Sequence, residues 1–257
     1  MTYRNEMFIF IFIVASFKFL QKSSAIAGDF CLQKKLYCGK IIKTLKKKGD
    51  YSVRNYQKEL EKLIEKNQKD GIVPTLLLHS CCAPCSSYCL SYLSQYFRIT
   101  LLYYNPNIYP EEEYFKRVEE QKRLIEEMEF VNSVGFIEGN FDPQEFYSAV
   151  KGLEQYREGG ERCFRCYELR LREAAGYAKK GNFDYFTTTL TISPLKNAAK
   201  LNEIGEALGE EYGVKHLPSD FKKKEGYKKS TELSKQYGLY RQDYCGCVFS
   251  KKERDSI

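Results

Sequence analysis

Eight of the ten cysteines in this 257-residue chain fall into three tight groups. Cys81, Cys82, Cys85 and Cys89 form the first, Cys163 and Cys166 the second, and Cys245 and Cys247 the third, while Cys31 and Cys38 stand apart near the N-terminus. A disulfide framework belongs to short chains whose core is too small to hold the fold. A chain of this length buries a sizeable core, so thiols grouped in this way read as metal ligands or as a redox relay.

Each group has its own chemistry. In His79-Ser80-Cys81-Cys82-Ala83-Pro84-Cys85 the thiols sit where an apolar strand gives way to a helix, with Pro84 in the first turn. The positive end of that helix lowers thiol pKa and favours the thiolate, the form that binds metal or attacks. Cys82-Ala83-Pro84-Cys85 is similar to the thioredoxin pattern, although Cys81 and the later groups are surplus to a thioredoxin. Cys89, a turn further on, reads as a small buried apolar side chain. Cys163 and Cys166, two residues apart after Gly159-Gly160, can reach one centre, and joined to the first group they make a four-thiolate site. Zinc and iron–sulfur clusters both use such a set, and the radical-SAM spacing CxxxCxxC is absent. Cys245-Gly246-Cys247 can close a strained, easily reduced disulfide suited to a relay, or supply two more metal ligands.

Other residues carry weaker signals. His79 can orient a ligand or simply be hydrogen-bonded at a strand end. Ser193-Pro194-Leu195-Lys196 has the backbone N–H groups and the cation that hold phosphate, and equally the make-up of an ordinary helix start. Lys222, Lys223, Lys224, Lys228 and Lys229 surround Gly226-Tyr227, with Arg241 nearby. Basic residues among tyrosines suit an RNA backbone with splayed bases, and suit a solvated lysine face equally well.

The elements that must position these residues alternate. Tyr56, Leu60, Leu63 and Ile64 mark an amphipathic helix. TLLLHS (75–80) predicts a strand, and Pro84 opens a helix running toward Tyr96. RITLLYY (98–104) is a strand, and 111–129 a helix with acids in its first turn. A strand at 134–138, helices from Pro143 and Cys163, a strand at 183–190 and a helix over 195–211 complete the pattern. Such alternation implies an α/β fold, a Rossmann-like parallel sheet with helical crossovers, whose active site lies at the carboxyl ends of the strands.

Residues 1–50 read as an extension, distinct from a domain over 51–257. Met7 to Ala15 is an unbroken apolar run, and Ala25-Ile26-Ala27 has the outline of a signal-peptidase site. The run is too short to span a membrane, Arg4 and Glu6 cancel in the n-region, and Lys18 and Lys22 crowd the cleavage region. The formal charge of +7 is a mild bias toward anionic partners and decides nothing alone.

Four ordered segments carry a resemblance: HSCCAPCSS (79–87), RCFRCYELRL (162–171), TTTLTISPLKN (187–197), and SDFKKKEGYKKSTELS through LYRQDYCGC (219–247). Together they resemble the epoxyqueuosine reductase QueH family over roughly residues 72–250. The resemblance implies a fold of the nucleotide-hydrolase (HUP) type and reduction of the epoxide of epoxyqueuosine in tRNA, the last step of queuosine synthesis. It implies a [4Fe–4S] cluster on Cys81, Cys82, Cys163 and Cys166, and a redox-active disulfide between Cys245 and Cys247. Cys85 is left beside the cluster as a ligand for a second, mononuclear iron. The expected partners are tRNA and an electron donor, with no stable membrane partner, and the expected compartment is the reducing cytosol. Two rivals remain: a metal-free thiol–disulfide oxidoreductase and a zinc-stapled RNA-binding protein without catalysis.

Overall fold

A computed structural model describes residues 54–256, so the N-terminal apolar run, Cys31 and Cys38 lie outside the described residues. The chain begins with α1 (Tyr56–Lys69), then β1 (Thr75–Ser80), α2 (Ala83–Leu93), β2 (Arg98–Tyr103), α3 (Glu111–Glu127) and β3 (Val134–Glu138). After α4 (Pro143–Ala149) and α5 (Glu161–Lys180) come β4 (Tyr185–Thr188), α6 (Ala198–Tyr212), β5 (Lys215–His216), α7 (Gly226–Gln236) and α8 (Val248–Asp255).

The five strands form one parallel sheet in the order β3-β2-β1-β4-β5. The central strand β1 is buried almost throughout, and its Leu76-Leu77-Leu78 run is apolar on both faces, because a parallel strand covered by helices meets no water on either face. Leu76 and Leu78 pack on one side with Ile99 and Leu101 of β2 against Leu60, Leu90 and Leu93. Leu77 and Leu102 pack on the other with Phe186 against Leu171, Ala174, Ala175 and Ala178 of α5. The alanines on α5 are small and let that helix approach the strands closely. The α/β parallel architecture is the one the alternation implied.

From β1 the chain winds outward through β2 and β3, then returns to the other side of β1 for β4 and β5. The connections leaving β1 and β4 therefore diverge, and a crevice opens between the ends of these two strands. The cysteine turn after β1 stands on one side of it.

Some boundaries differ from the sequence expectation. The strand expected over 183–190 ends at Thr188, where the Thr188 hydroxyl accepts from the Leu190 N–H at 3.1 Å and starts a 3-10 turn over Thr189–Ile192. The helix expected from Leu195 starts at Ala198, because the Asn197 side chain caps it by accepting from the Lys200 N–H. Helix α7 was hidden because it buries Gly226, Ser230 and Ser234, small positions that make no apolar stripe. A Cβ at Gly226 would fall 1.8 Å from the Phe221 carbonyl oxygen, so only glycine fits there. Among the described residues no helix is long and apolar enough to cross a membrane.

Candidate thiol centre

The turn after β1 delivers three thiols to one point. Cys81 follows the strand directly, Cys82 is the N-cap of α2, and Cys85 lies in its first turn. Their sulfurs all lie within 4.8 Å of one another, with Cys81 and Cys82 at 3.8 Å. Thr189, just past β4 across the crevice, accepts from the Cys81 N–H at 3.4 Å and lies 3.6 Å from the Cys81 sulfur. Gln242 donates its Nε2 to the Cys82 sulfur at 3.0 Å. Hydrogen bonds from Cys82 and Cys85 hold Cys81 well below the usual thiol value, helped by Lys196 and Arg170 and opposed by burial. As donors to it, Cys82 is pushed up to about 12 and Cys85 well above its ordinary value.

The second and third groups meet beside it. Cys163 lies in the first turn of α5 and accepts from the Gly159 N–H at 3.2 Å; Cys166 lies one turn on. Cys247 is the N-cap of α8, accepting from the Ser250 N–H at 3.4 Å, and it packs with Cys166 against Phe146 and Val150. Burial raises Cys163 and Cys247, and pushes Cys166 up to about 12. Cys245 and Cys247 both act electrostatically on Cys163 and Cys166. Cys245 itself lines a cavity of about 440 Å³ together with Cys81, Cys85, Arg170 and Lys196. The structure therefore joins Cys81 and Cys82 to Cys85, opens Cys245 onto the same cavity, packs Cys166 with Cys247, and sets Cys163 with Cys81 against the second hydrophobic face. Cys163 and Cys166 are not members of the compact trio. The cysteines of all three groups carry free thiols.

The Cys245-Gly246-Cys247 segment is held from below. Arg117 Nη1 donates to the Cys245 carbonyl at 3.4 Å, the Tyr109 N–H donates to the Gly246 carbonyl at 2.8 Å, and the Tyr244 hydroxyl donates to the Tyr109 carbonyl at 2.6 Å. Gly246 has φ +127°, and a Cβ there would meet Arg117 Nη1 at 3.1 Å and Ile108 Cγ1 at 3.3 Å. Gly246→Ala should therefore lower the unfolding free energy by about 1–3 kcal/mol, the usual range for a forced backbone conformation, as read from urea denaturation. An unchanged denaturation midpoint would show that the loop relaxes freely.

The remaining sequence candidates divide. His79 is fully buried: its Nε2 donates to the Tyr104 carbonyl at 3.1 Å and its Nδ1 accepts from the Thr188 hydroxyl at 2.8 Å. Burial, with Arg170 adding, lowers its pKa to about 3. His79 is a neutral tie between β1 and β4, with both ring nitrogens engaged. Cys89 is a core residue of the first hydrophobic face. In the lysine patch, Lys224 pairs with Glu61, Lys222 with Asp220 and Lys228 with Glu225, which reduces its free positive charge. Tyr227 and Arg241 line the thiol cavity. Lys196 turns out to face thiols there.

Sequence reasoning passed over Gln242, Arg117 and Arg170. For Arg170 a signal existed: it follows Cys166 by four residues and Cys163 by seven, which on a helix is one face. Soft thiol donors largely removed from water, with cations beside them, match an anionic thiolate-held metal centre.

The chain is thus a Rossmann-like α/β domain that carries, at the switch point of its sheet, three thiols close enough to hold one metal ion. Residues 76–253 match the family model described as epoxyqueuosine reductase QueH. The chain is similar to the epoxyqueuosine reductase QueH of Staphylococcus epidermidis, with 45% identity over 202 residues that cover 76% of this chain and 84% of that protein. The protein of the same name from Streptococcus pyogenes is 42% identical over 200 residues, covering 77% and 78% of the two chains. That from Thermotoga maritima is 38% identical over 186 residues, covering 70% and 92%. This chain belongs to the epoxyqueuosine reductase QueH family.

Proposed function

We propose that this chain reduces the epoxide of epoxyqueuosine in tRNA to give queuosine, with Cys81, Cys82, Cys163 and Cys166 holding a [4Fe–4S] cluster and Cys245 with Cys247 acting as a redox-active pair. The observation that carries this reading is the compact trio Cys81, Cys82 and Cys85 at the end of β1, sharing one cavity with Cys245. Cys85, in contact with two of the proposed ligands, is the residue that would hold a second, mononuclear iron.

Removing an epoxide oxygen as water consumes two electrons and two protons. When bound, the cluster would supply single electrons at the carboxyl edge of the sheet. The chain's own thiols supply a matching change. Oxidising Cys245 and Cys247 to a disulfide releases two electrons and two protons, which balances the reduction of one epoxide. An electron donor then returns the pair to the dithiol. Tyr227 and Arg241 on the cavity wall offer a stacking face and a phosphate partner to a splayed nucleotide. A tRNA substrate and a labile cluster both belong in the reducing cytosol.

The test is anaerobic purification with iron, sulfide and zinc analysis, followed by an assay on tRNA carrying epoxyqueuosine. Four irons and four sulfides per chain with formation of queuosine are the expected result. The compactness of the trio also favours a second reading, a zinc-stapled RNA-binding protein. A colourless preparation with one tightly held zinc and no turnover would establish that reading instead.

A further inference from the structure

We infer that Arg170 and Lys196 are the fixed counter-charges of the thiol centre and that they raise its reduction potential. This inference rests on the proposal that the cysteines hold an iron–sulfur cluster.

Among the described residues three arginines are buried to 2% exposure: Arg117, Arg162 and Arg170. Two have carboxylate partners, Arg117 with Glu113 at 2.7 Å and Arg162 with Glu253 at 3.0 Å. Arg170 differs. Its Nε donates to the Cys166 carbonyl and its Nη1 to the Asn105 side-chain oxygen, each at 3.3 Å, and both acceptors are neutral. Its Nη2 is buried with no partner. Asn105 in turn donates to the Ser80 carbonyl at 2.8 Å, which ties the guanidinium to the end of β1, one residue before Cys81.

Among the described residues no carboxylate forms an ion pair with Arg170 or with Lys196. Both line the thiol cavity. The groups that act on the Arg170 charge are Cys166, Cys245, Cys81 and Tyr167; those that act on Lys196 are Cys245, Cys81, Cys85 and Tyr167. Arg170, a buried cation with no carboxylate partner and an unpartnered Nη2, is costly to bury unless negative charge resides on the sulfurs beside it, and Lys196 joins it on the wall of the same cavity. A thiolate-held centre supplies that charge.

The consequence concerns potential. Taking up one electron adds one negative charge to the centre, with no bond made or broken. Arg170 and Lys196 favour the more negative state, so each cation shifts the balance toward the reduced form. At an effective dielectric constant of about 20, one unit charge about 12 Å from the added electron changes that equilibrium about tenfold, which is about 59 mV for a one-electron couple.

The experiment is a mediated redox titration of the anaerobically purified full chain, with the reduced centre followed by electron paramagnetic resonance. Lys196→Gln and Arg170→Gln are each expected to lower the midpoint potential by about one tenfold step, while Arg170→Lys stays close to wild type. Lys196 precedes α6 on a partly exposed loop, so Lys196→Gln decides the matter even if Arg170→Gln fails to fold. Unchanged potentials in charge-neutral variants that retain their iron would overturn the inference. So would a raised KM for tRNA with the potential intact, since the cations would then serve substrate phosphate. A wild-type protein without iron would instead overturn the proposed function on which the inference rests.

Discussion

Cys82→Ser is expected to yield a folded protein that holds little iron and has lost the proposed reduction of epoxyqueuosine. The fold survives because of where the residue stands. Cys82 is the N-cap of α2, and its own side chain makes no capping hydrogen bond. Serine is among the preferred N-cap residues, so the exchange is neutral or favourable for the helix. The centre does not survive, because a serine hydroxyl is a hard, weakly acidic donor in place of a soft thiolate. Circular dichroism and the urea midpoint should match wild type, while iron content falls sharply and turnover drops to background. Cys89→Ala is the matched control. Cys89 lies two turns further along α2 in the apolar core and is not one of the proposed ligands, so that variant is expected to keep its colour and its activity. Full iron and full turnover in Cys82→Ser would remove Cys82 from the ligands.

The parallel sheet was legible because its central strand has to be apolar on both faces. TLLLHS and RITLLY carry that requirement openly, and the turn residues after β1 announce the helix start at Pro84. Helix α7 was not legible. It packs through glycine and serine, and the lysines around it draw attention to charge where the structural content is close approach. The end of β4 was hidden for a related reason: four threonine and leucine residues after Phe186 suit a strand, yet Thr188 turns its hydroxyl onto the backbone of Leu190. At the site, cysteine spacing identified the groups and the helix N-termini that bear them. It did not reveal that Cys85 sits within the same 4.8 Å as Cys81 and Cys82, because that depends on how the first turn of α2 folds back over the strand end. Nor does spacing reveal partners distant in sequence. Gln242 reaches Cys82 across 160 positions, and Arg170 owes its meaning to the carboxylate it lacks.

Cys245→Ser and Cys247→Ser should each abolish turnover while iron content and colour stay at the wild-type level. The two positions differ in setting, which makes the pair informative. Cys245 lines the thiol cavity, whereas Cys247 is buried at 7% exposure and caps α8. Serine at 247 keeps a good capping oxygen, so α8 stays in place, and loss of activity there cannot be ascribed to a displaced helix. Neither position belongs to the set proposed to hold the cluster. What both variants lose is the ability to form a disulfide across Gly246, and with it the two electrons and two protons that match one epoxide reduction. The relay reading therefore predicts equal, near-complete losses from a half-buried and a buried residue. A general acid or a substrate contact at Cys245 alone would predict a large loss at 245 and a small one at 247. A fully active double variant would remove the pair from the reaction and leave Cys245 as part of the cavity wall.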